Sequence, residues 1–481
     1  MPIALTAWVH GGDANRAVRC SLASDTMAAM TTKPELLQAA TAAAVRYIDG
    51  ERDSRVAPPR DVELPEDLDG NFLDAPWPAD AVLQLLADAG DVGATRTTGG
   101  RYFGFVTGGI EPIALAASTL SGAWDQNAGL PVMSPLAAKL DAIAARWIVD
   151  LLELPRESVA AFCAGATVAN LTGIITGRDA LLERVGWSTR ERGLAGSPPI
   201  TVVTGDEIHA SALKVLQLAG FGNAQIVRVP TDECGRARAD AWPDTTGPTL
   251  VVLQAGNVNT GYSDPFDAIL PGLHRERTWV HVDGAFGLWA RLAPDRRATI
   301  SGVEAADSWA TDAHKWLNAP YDCGVVICRD GEALTRAMTT SAAYLAATEE
   351  RVPMNLGIQM SQAARAIPVW AILATLGRQG LSDLVERSCR LAERMATRLA
   401  DNAVTILAPV VLNQVLAAFG DDATTDAVID AVQRDGTCWM GGTVWHGRHA
   451  MRISVSDSST TEHDIDVAAD AVVRAWRSVV T

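Results

Sequence analysis

Lys315 stands beside His314 in the stretch "DSWATDAHKWLNAP" (307–320), at the end of a short apolar run. An ammonium group loses hydration on burial unless it is paired or neutralised. A lysine so placed can be made nucleophilic by a lowered pKa, and the usual use is a Schiff base with a carbonyl. Other strand ends in this chain also carry polar residues that a pure core would not need, and ligands of open α/β sheets gather at such ends. In "VHVDGAFG" (280–287), Asp283 closes an apolar strand, where a carboxylate needs a cationic or N–H partner. A structural salt bridge would meet that need as well. The "GAFG" that follows lets the backbone come close to something flat.

In "AFCAGATVANLTGI" (161–174) small residues turn the chain into a helix, leaving free amides and the Thr167 hydroxyl at its N-terminus. That is either a tight packing turn or an anion site. It has the spacing of neither GxxxxGK[ST] nor GxGxxG, so it supports no nucleoside-triphosphatase or dinucleotide reading. His209 in "TGDEIHAS" (204–211) is either a satisfied structural histidine or a ring that stacks on a planar ligand. "QAGNVNTGYSDP" (254–265) reads by itself as a loop, from which Asn257 could donate a hydrogen bond. One ligand uses a phosphate turn, a stacking ring, a buried carboxylate and an amine together: pyridoxal phosphate. Its phosphate would sit on the helix N-terminus, its aldehyde on Lys315, and its pyridine nitrogen against Asp283.

The elements must hold these residues together. The 481-residue chain is long enough for two or three structural parts, and 48% hydrophobic with 20% charged residues is a globular balance. A formal net charge of -17 argues against a nucleic-acid partner, and no apolar run is long enough to span a membrane. The seven scattered cysteines read as reduced thiols of a cytoplasmic protein, and the start lacks the pattern of a secretory signal. Residues 1–30 read as a loose tail, or as an over-long assigned start, since Met27 and Met30 follow.

Helices are expected over "KPELLQAATAAAVRYIDG" and from Pro78 to Ala89. Then come six strand-like runs, apolar on both faces: 200–204, 224–229, 249–254, 279–283, 308–311 and 324–328. Helical stretches such as "SALKVLQLAG" and "PFDAILPGLHRER" separate them, which predicts a mostly parallel sheet covered on both sides. After Met338 a long helical region leads into "NQVLAAFG", a helix, the pair "TCWMGG" and "AMRISVS", and a last helix with Ile465, Ala468, Val472 and Trp476 on one face. Thr460 and Thr461 are its candidate caps.

The motifs "GATVAN", "DEIHASALK", "AGNVNTG", "HVDGAFG" and "DAHKW" resemble those of the group II pyridoxal-phosphate-dependent decarboxylases. "RYFGFVTGGIEP" and "GRHAMRISVSDSSTTEHDID" extend the resemblance over roughly residues 35 to 480. That family includes aromatic amino acid, glutamate, histidine and diaminobutyrate decarboxylases. The resemblance implies an α/β fold of type I, like aspartate aminotransferase, in a homodimer with sites at the subunit interface. Its parts would be an N-terminal helical dimerisation segment (31–100), a large cofactor domain (101–345) and an α+β C-terminal domain (346–481).

By motif, Lys315 would bind the cofactor aldehyde, Asp283 the pyridine nitrogen, and His209 and Ala285 the two faces of the ring. Ala166 and Thr167 would hold phosphate, helped by His314. Asp312 stands where many members have asparagine, and two anions would repel there. Asn257 replaces the threonine that aromatic decarboxylases place near the ring hydroxyl, and Thr107 matches a substrate-facing position. The segment 345–366, expected as a mobile lid, lacks the tyrosine that protonates the carbanion in aromatic decarboxylases; Tyr344 lies just before it. His209, Lys315 or a residue from across the dimer would then supply that proton.

The expected activity is decarboxylation of an L-amino acid to an amine and CO2, after the substrate amine displaces Lys315 from the cofactor. The rivals are decarboxylation with oxidative deamination to an aldehyde, transamination with Arg452 clamping the substrate carboxylate, and a catalytically silent cofactor-binding protein.

Overall fold

The computed structural model describes residues 32–51, 54–69, 75–340 and 351–481; the expected tail, 1–30, lies outside them. Two helices come first, α1 (Lys33–Asp49) and α2 (Ala79–Gly93), and neither buries a residue. Glu35 reaches back to the Thr32 amide (2.8 Å) to start α1. Next, α3 (Pro112–Trp124) and α4 (Pro135–Leu151) both open on proline, which lacks only an N–H that would be unpaired there anyway. The remaining helices are α5 (Ala166–Arg184), α6 (Thr189–Arg192), α7 (Ala210–Leu218), α8 (Phe266–Ile269), α9 (Gly331–Met338), α10 (Ala366–Asp401), α11 (Asp422–Asp435) and α12 (Glu462–Val480).

The central sheet holds β1 (Val159–Cys163), β2 (Thr201–Gly205), β3 (Ile226–Val229), β4 (Thr249–Gln254), β5 (Thr278–Asp283), β6 (Ser308–Asp312) and β7 (Gly324–Cys328), in the order β1-β7-β6-β5-β4-β2-β3. It is parallel except for β7, which runs against both its neighbours. The six expected runs are β2 to β7, and β1 is an addition. Edge position corrects one expectation: β3 is the last strand of the sheet, and its consecutive Val227 and Arg228, which point to opposite faces, are both exposed. "PFDAILPGLHRER" also departs from the expected helix. It makes only the short α8 and 3-10 turns, since Pro271 cannot continue a helical ladder.

Strand alternation builds two cores around this sheet. Val251 and Leu253 of β4 and Val280 and Val282 of β5 face α4 and the first half of α10. Leu250, Val252 and Trp279 face the opposite side, with α5 and α7. With a period of two, His281 and Asp283 share the Trp279 side. There α5 lies very close: a Cβ on Gly173 or Gly177 would overlap His281 or Trp279. Asn170 of α5 meets His281 Nε2 at 2.8 Å, while the Ser308 hydroxyl meets His281 Nδ1 (2.8 Å) and Trp279 Nε1 (2.9 Å). Burial pushes the His281 pKa down to about 3, so this network is neutral. It ties the first half of α5 to β5 and to the first residue of β6.

The C-terminal sheet, in the order β10-β11-β9-β8, contains β8 (Thr405–Ile406), β9 (Gln414–Ala418), β10 (Gly441–Trp445) and β11 (Arg448–Ser454). The expected strand "TCWMGG" begins only at Gly441. Trp439 instead pairs with the front of the chain, its amide bonding Arg101 O and its carbonyl accepting from Phe103 N. Thr461 caps α12 through the Asp464 amide (3.2 Å), whereas Thr460 bonds the Gly100 carbonyl (2.8 Å).

The apolar cores divide inside α10. Ile372, Leu381, Val385 and Cys389 belong to the large core, and Leu391, Met395 and Leu399 to the C-terminal one. Phe103 joins the C-terminal core as well. The packing boundary therefore lies well beyond the expected division at 345/346, because α10 spans both cores.

Candidate active site

Asp283 and Asp312 emerge at the carboxyl ends of the adjacent parallel strands β5 and β6, on the side covered by α5. Asp283 is only 6% exposed, and its Oδ1 accepts from the Ala285 amide at 3.2 Å. No ion pair reaches it among the described residues. A buried carboxylate with a single weak N–H partner fits a cationic ligand group. Beyond it, Ala285 turns the backbone, and its carbonyl accepts from Asp312 N (2.8 Å) and Thr311 Oγ1 (3.4 Å).

The start of α5 forms the cradle. Its N-cap, Gly165, has φ 95°, where a side chain would be strained, and a Cβ there would press on His314. Ala166 is buried and Thr167 is exposed at the first turn. The Ala166 amide donates to Asp312 Oδ1 at 2.6 Å, Lys315 Nζ lies 3.2 Å from Asp312 Oδ2, and His314 Nε2 lies 3.6 Å from Oδ1. His314 Nδ1 accepts from the Cys323 amide (3.1 Å), which leaves Nε2 to carry the proton toward Asp312. Burial lowers the His314 pKa, with Asp312 opposing.

His209, the N-cap of α7, has its Nδ1 against the Ser211 amide (3.2 Å) and hydroxyl (2.6 Å). The residue is exposed. Desolvation around its ring lowers its pKa, Asp283 opposes this, and Lys315 and Arg452 add to it. Those influences place His209 in the same electrostatic neighbourhood as Asp283, Asp312 and Lys315.

Thr107 lies on a loop pressed against the lysine, since a Cβ on Gly108 would overlap the Lys315 carbonyl. Asn257 is different. It is 1% exposed, and its Oδ1 accepts from Asn259 N (2.9 Å) and Thr260 N (3.3 Å), so the carbonyl end of the amide is used in building its own turn.

Three residues that sequence reasoning passed over complete the surroundings. Fully buried Asn318, with φ 58°, accepts from Gly109 N (2.8 Å) and Ser458 N (2.9 Å) and donates to Trp316 O and Ser456 O (both 2.9 Å). It ties the lysine turn to the Thr107 loop and to the C-terminal domain. Asn318→Ala is expected to destabilise the protein by about 2–4 kcal/mol in urea unfolding, because buried groups lose their partner at four places. Asp457 anchors the same junction through Gly100 N (3.1 Å) and Ser459 N (2.7 Å). Tyr321, six residues after the lysine, packs its ring on His314 (centroids 4.3 Å apart), with its phenol beside the Thr107 side chain. Tyr321 is 64% exposed overall, and desolvation around its hydroxyl raises the phenol pKa above its ordinary value. The signal available in the sequence was only its place in "HKWLNAPYDC".

A partly buried guanidinium, Arg452, lies 5.9 Å from the Phe105 ring and has no carboxylate partner among the described residues. Burial lowers its pKa. Phe105 and Tyr102 both stack on Trp439, at 5.5 and 5.0 Å.

Of the expected lid, 345–350 lie outside the described residues, as does Tyr344. The following part is packed: Arg351 pairs with Asp141 (2.7 Å), and Val352, Pro353, Met354 and Leu356 are buried. Residues 351–356 are therefore anchored, because their apolar side chains have found a core. A cleft of about 760 Å³ between α4, β1 and Arg351 contains none of the site residues.

The family described as "Pyridoxal-dependent decarboxylase conserved domain" matches residues 65–416. The chain belongs to this decarboxylase family. Tryptophan decarboxylase 1 of Oryza sativa subsp. japonica is 26% identical over 437 residues, covering 82% of this chain and 84% of that protein. Phenylacetaldehyde synthase of Arabidopsis thaliana is 24% identical over 367 residues (70% and 74%). The crystal structure of Oryza sativa TDC with PLP and tryptamine shares the fold, with a TM-score of 0.85 and 22% identity over 93% of this chain and 98% of that one.

This decarboxylase thus has the type I fold and works with pyridoxal phosphate. Its own residues fit that group: the Asp283 carboxylate lacks a cation, the side-chain-free Gly165 opens α5 beside His314, and Lys315 supplies an amine. Among the described residues no cluster of side chains could hold a metal ion, and no helix is long and apolar enough to cross a membrane.

Proposed function

We propose that this decarboxylase converts an L-amino acid to its amine and CO2 as a cytoplasmic homodimer. The observation that carries the reading is the buried, unpaired Asp283 carboxylate at the end of a strand whose neighbour leads to Lys315. When bound, pyridoxal phosphate supplies a sink for the electron pair left by the departing carboxylate. In this reading Asp283 keeps the ring nitrogen protonated, His209 and Ala285 flank the ring, and Ala166, Thr167 and His314 meet the phosphate. Asn257 would assist through its amide nitrogen, and Thr107 faces the substrate. Lys315, once displaced, is a free amine able to carry a proton to the substrate carbon, and Tyr321 is a second proton-bearing group beside Thr107.

Pairing of two copies is supported by α1 and α2, which bury nothing yet expose Leu37, Val45, Ile48, Val82, Leu86 and Val92. A cytoplasmic location is supported by six free cysteines among the described residues.

The test is reconstitution with pyridoxal phosphate, then a screen of amino acids for CO2 release with all products measured. Amine equal to CO2 upholds the reading. A second reading, aldehyde formation with peroxide, is favoured by the absence of tyrosine from 345–366 and by the relative named phenylacetaldehyde synthase. Peroxide equal to CO2 would establish it. Transamination would use the unpaired Arg452 to hold the substrate carboxylate, and keto acid without CO2 would reveal it. A catalytically silent protein would bind the cofactor and release nothing.

A further inference from the structure

Both oxygens of Asp312 are committed. Oδ1 takes the first amide of α5, from Ala166 (2.6 Å), and lies 3.6 Å from His314 Nε2; Oδ2 lies 3.2 Å from Lys315 Nζ. The carboxylate is 2% exposed, so water does little to screen it. One side chain thus engages the helix amide, the imidazole and the ammonium that a phosphate and an aldehyde would need. The cradle has little slack, because a Cβ on Gly165 would already sit 3.2 Å from the His314 ring and 3.6 Å from Asp312 Oδ1. A phosphate on the α5 amides would meet a fixed negative charge at close range. Asparagine at this position would keep the hydrogen bond from Ala166 and lose only the charge.

We propose that Asp312 is a built-in competitor for the cofactor's phosphate, which lowers cofactor affinity and makes loading depend on cofactor supply. The inference rests on the reading of α5 as the phosphate cradle. Removing the charge strengthens cofactor binding, and the ion pair that Lys315 loses does not reverse this, since the amine forms a bond to the aldehyde instead.

The test uses the full chain freed of cofactor and titrated with pyridoxal phosphate, read by tryptophan fluorescence and visible absorbance. Asp312→Asn is expected to tighten binding about tenfold or more, in keeping with removal of a poorly screened like charge. Inorganic phosphate is expected to raise the melting temperature of the cofactor-free variant and to leave that of the unaltered protein nearly unchanged. Asp312→Ala, which also frees the Ala166 amide, is expected to move binding in the same direction and serves if the asparagine variant folds poorly. Equal or weaker cofactor binding by folded variants would overturn the inference while leaving the cofactor site standing. Failure of every form, including the unaltered protein, to bind pyridoxal phosphate would remove the cradle reading itself.

Discussion

Lys315→Ala is expected to leave a folded protein that no longer retains pyridoxal phosphate covalently. Borohydride reduction followed by peptide mass analysis would find the cofactor on Lys315 in the unaltered chain and nowhere in the variant. Turnover should fall by roughly 10³-fold or more, which corresponds to about 4 kcal/mol of barrier. The fold should persist because the lysine side chain is 21% exposed and its backbone is held through Asn318, not through Nζ. Loss of the amine also leaves Asp312 without its cation, though the Ala166 amide still holds that carboxylate. Retention of a reducible label elsewhere in the variant would show that another amine does the work.

Asp283→Ala should have the second large effect. With no carboxylate to keep the ring nitrogen protonated, the cofactor is a weaker electron sink, and turnover is expected to drop by about 10²- to 10⁴-fold, the range of a lost charge-stabilising group. Folding should survive, since among the described residues the only hydrogen-bond partner released is the Ala285 amide at 3.2 Å. Asp283→Glu should keep part of the activity. A readout independent of turnover comes from His209. Asp283 holds the imidazole pKa up against burial, so the alanine variant should titrate at lower pH in the histidine NMR signals. Near-normal turnover with an unmoved His209 would confine the carboxylate to a structural role.

Both residues stand out as candidates in the sequence, for a physical reason. A lysine and an aspartate closing apolar strands contradict their surroundings, and such contradictions point to a ligand. Asn257 carried no such tension. It sits among loop-forming residues, and only the folded turn shows its carbonyl oxygen taken by Asn259 and Thr260. Asn318 was invisible for a related reason: three of its partners come from residues 109, 456 and 458, and no local pattern foretells a bond across more than a hundred residues. The packing of 351–356 also depended on a distant partner, Asp141 of α4.

Local chemistry alone determined the alternation of strands and helices and the mostly parallel sheet, and it singled out Lys315 and Asp283 as candidates. Side-chain period, glycine at close approaches and charge at strand ends are written within a few residues of each other. Tertiary structure decided the rest. It set β7 against its neighbours, ran α10 through two cores, and brought Tyr321 to Thr107. It also laid the Asp312 carboxylate on the first amide of α5, 146 residues away in the chain. Those outcomes depend on which surfaces meet after the chain has closed, and burial and charge pairing at a distance have no signature in a short stretch of sequence.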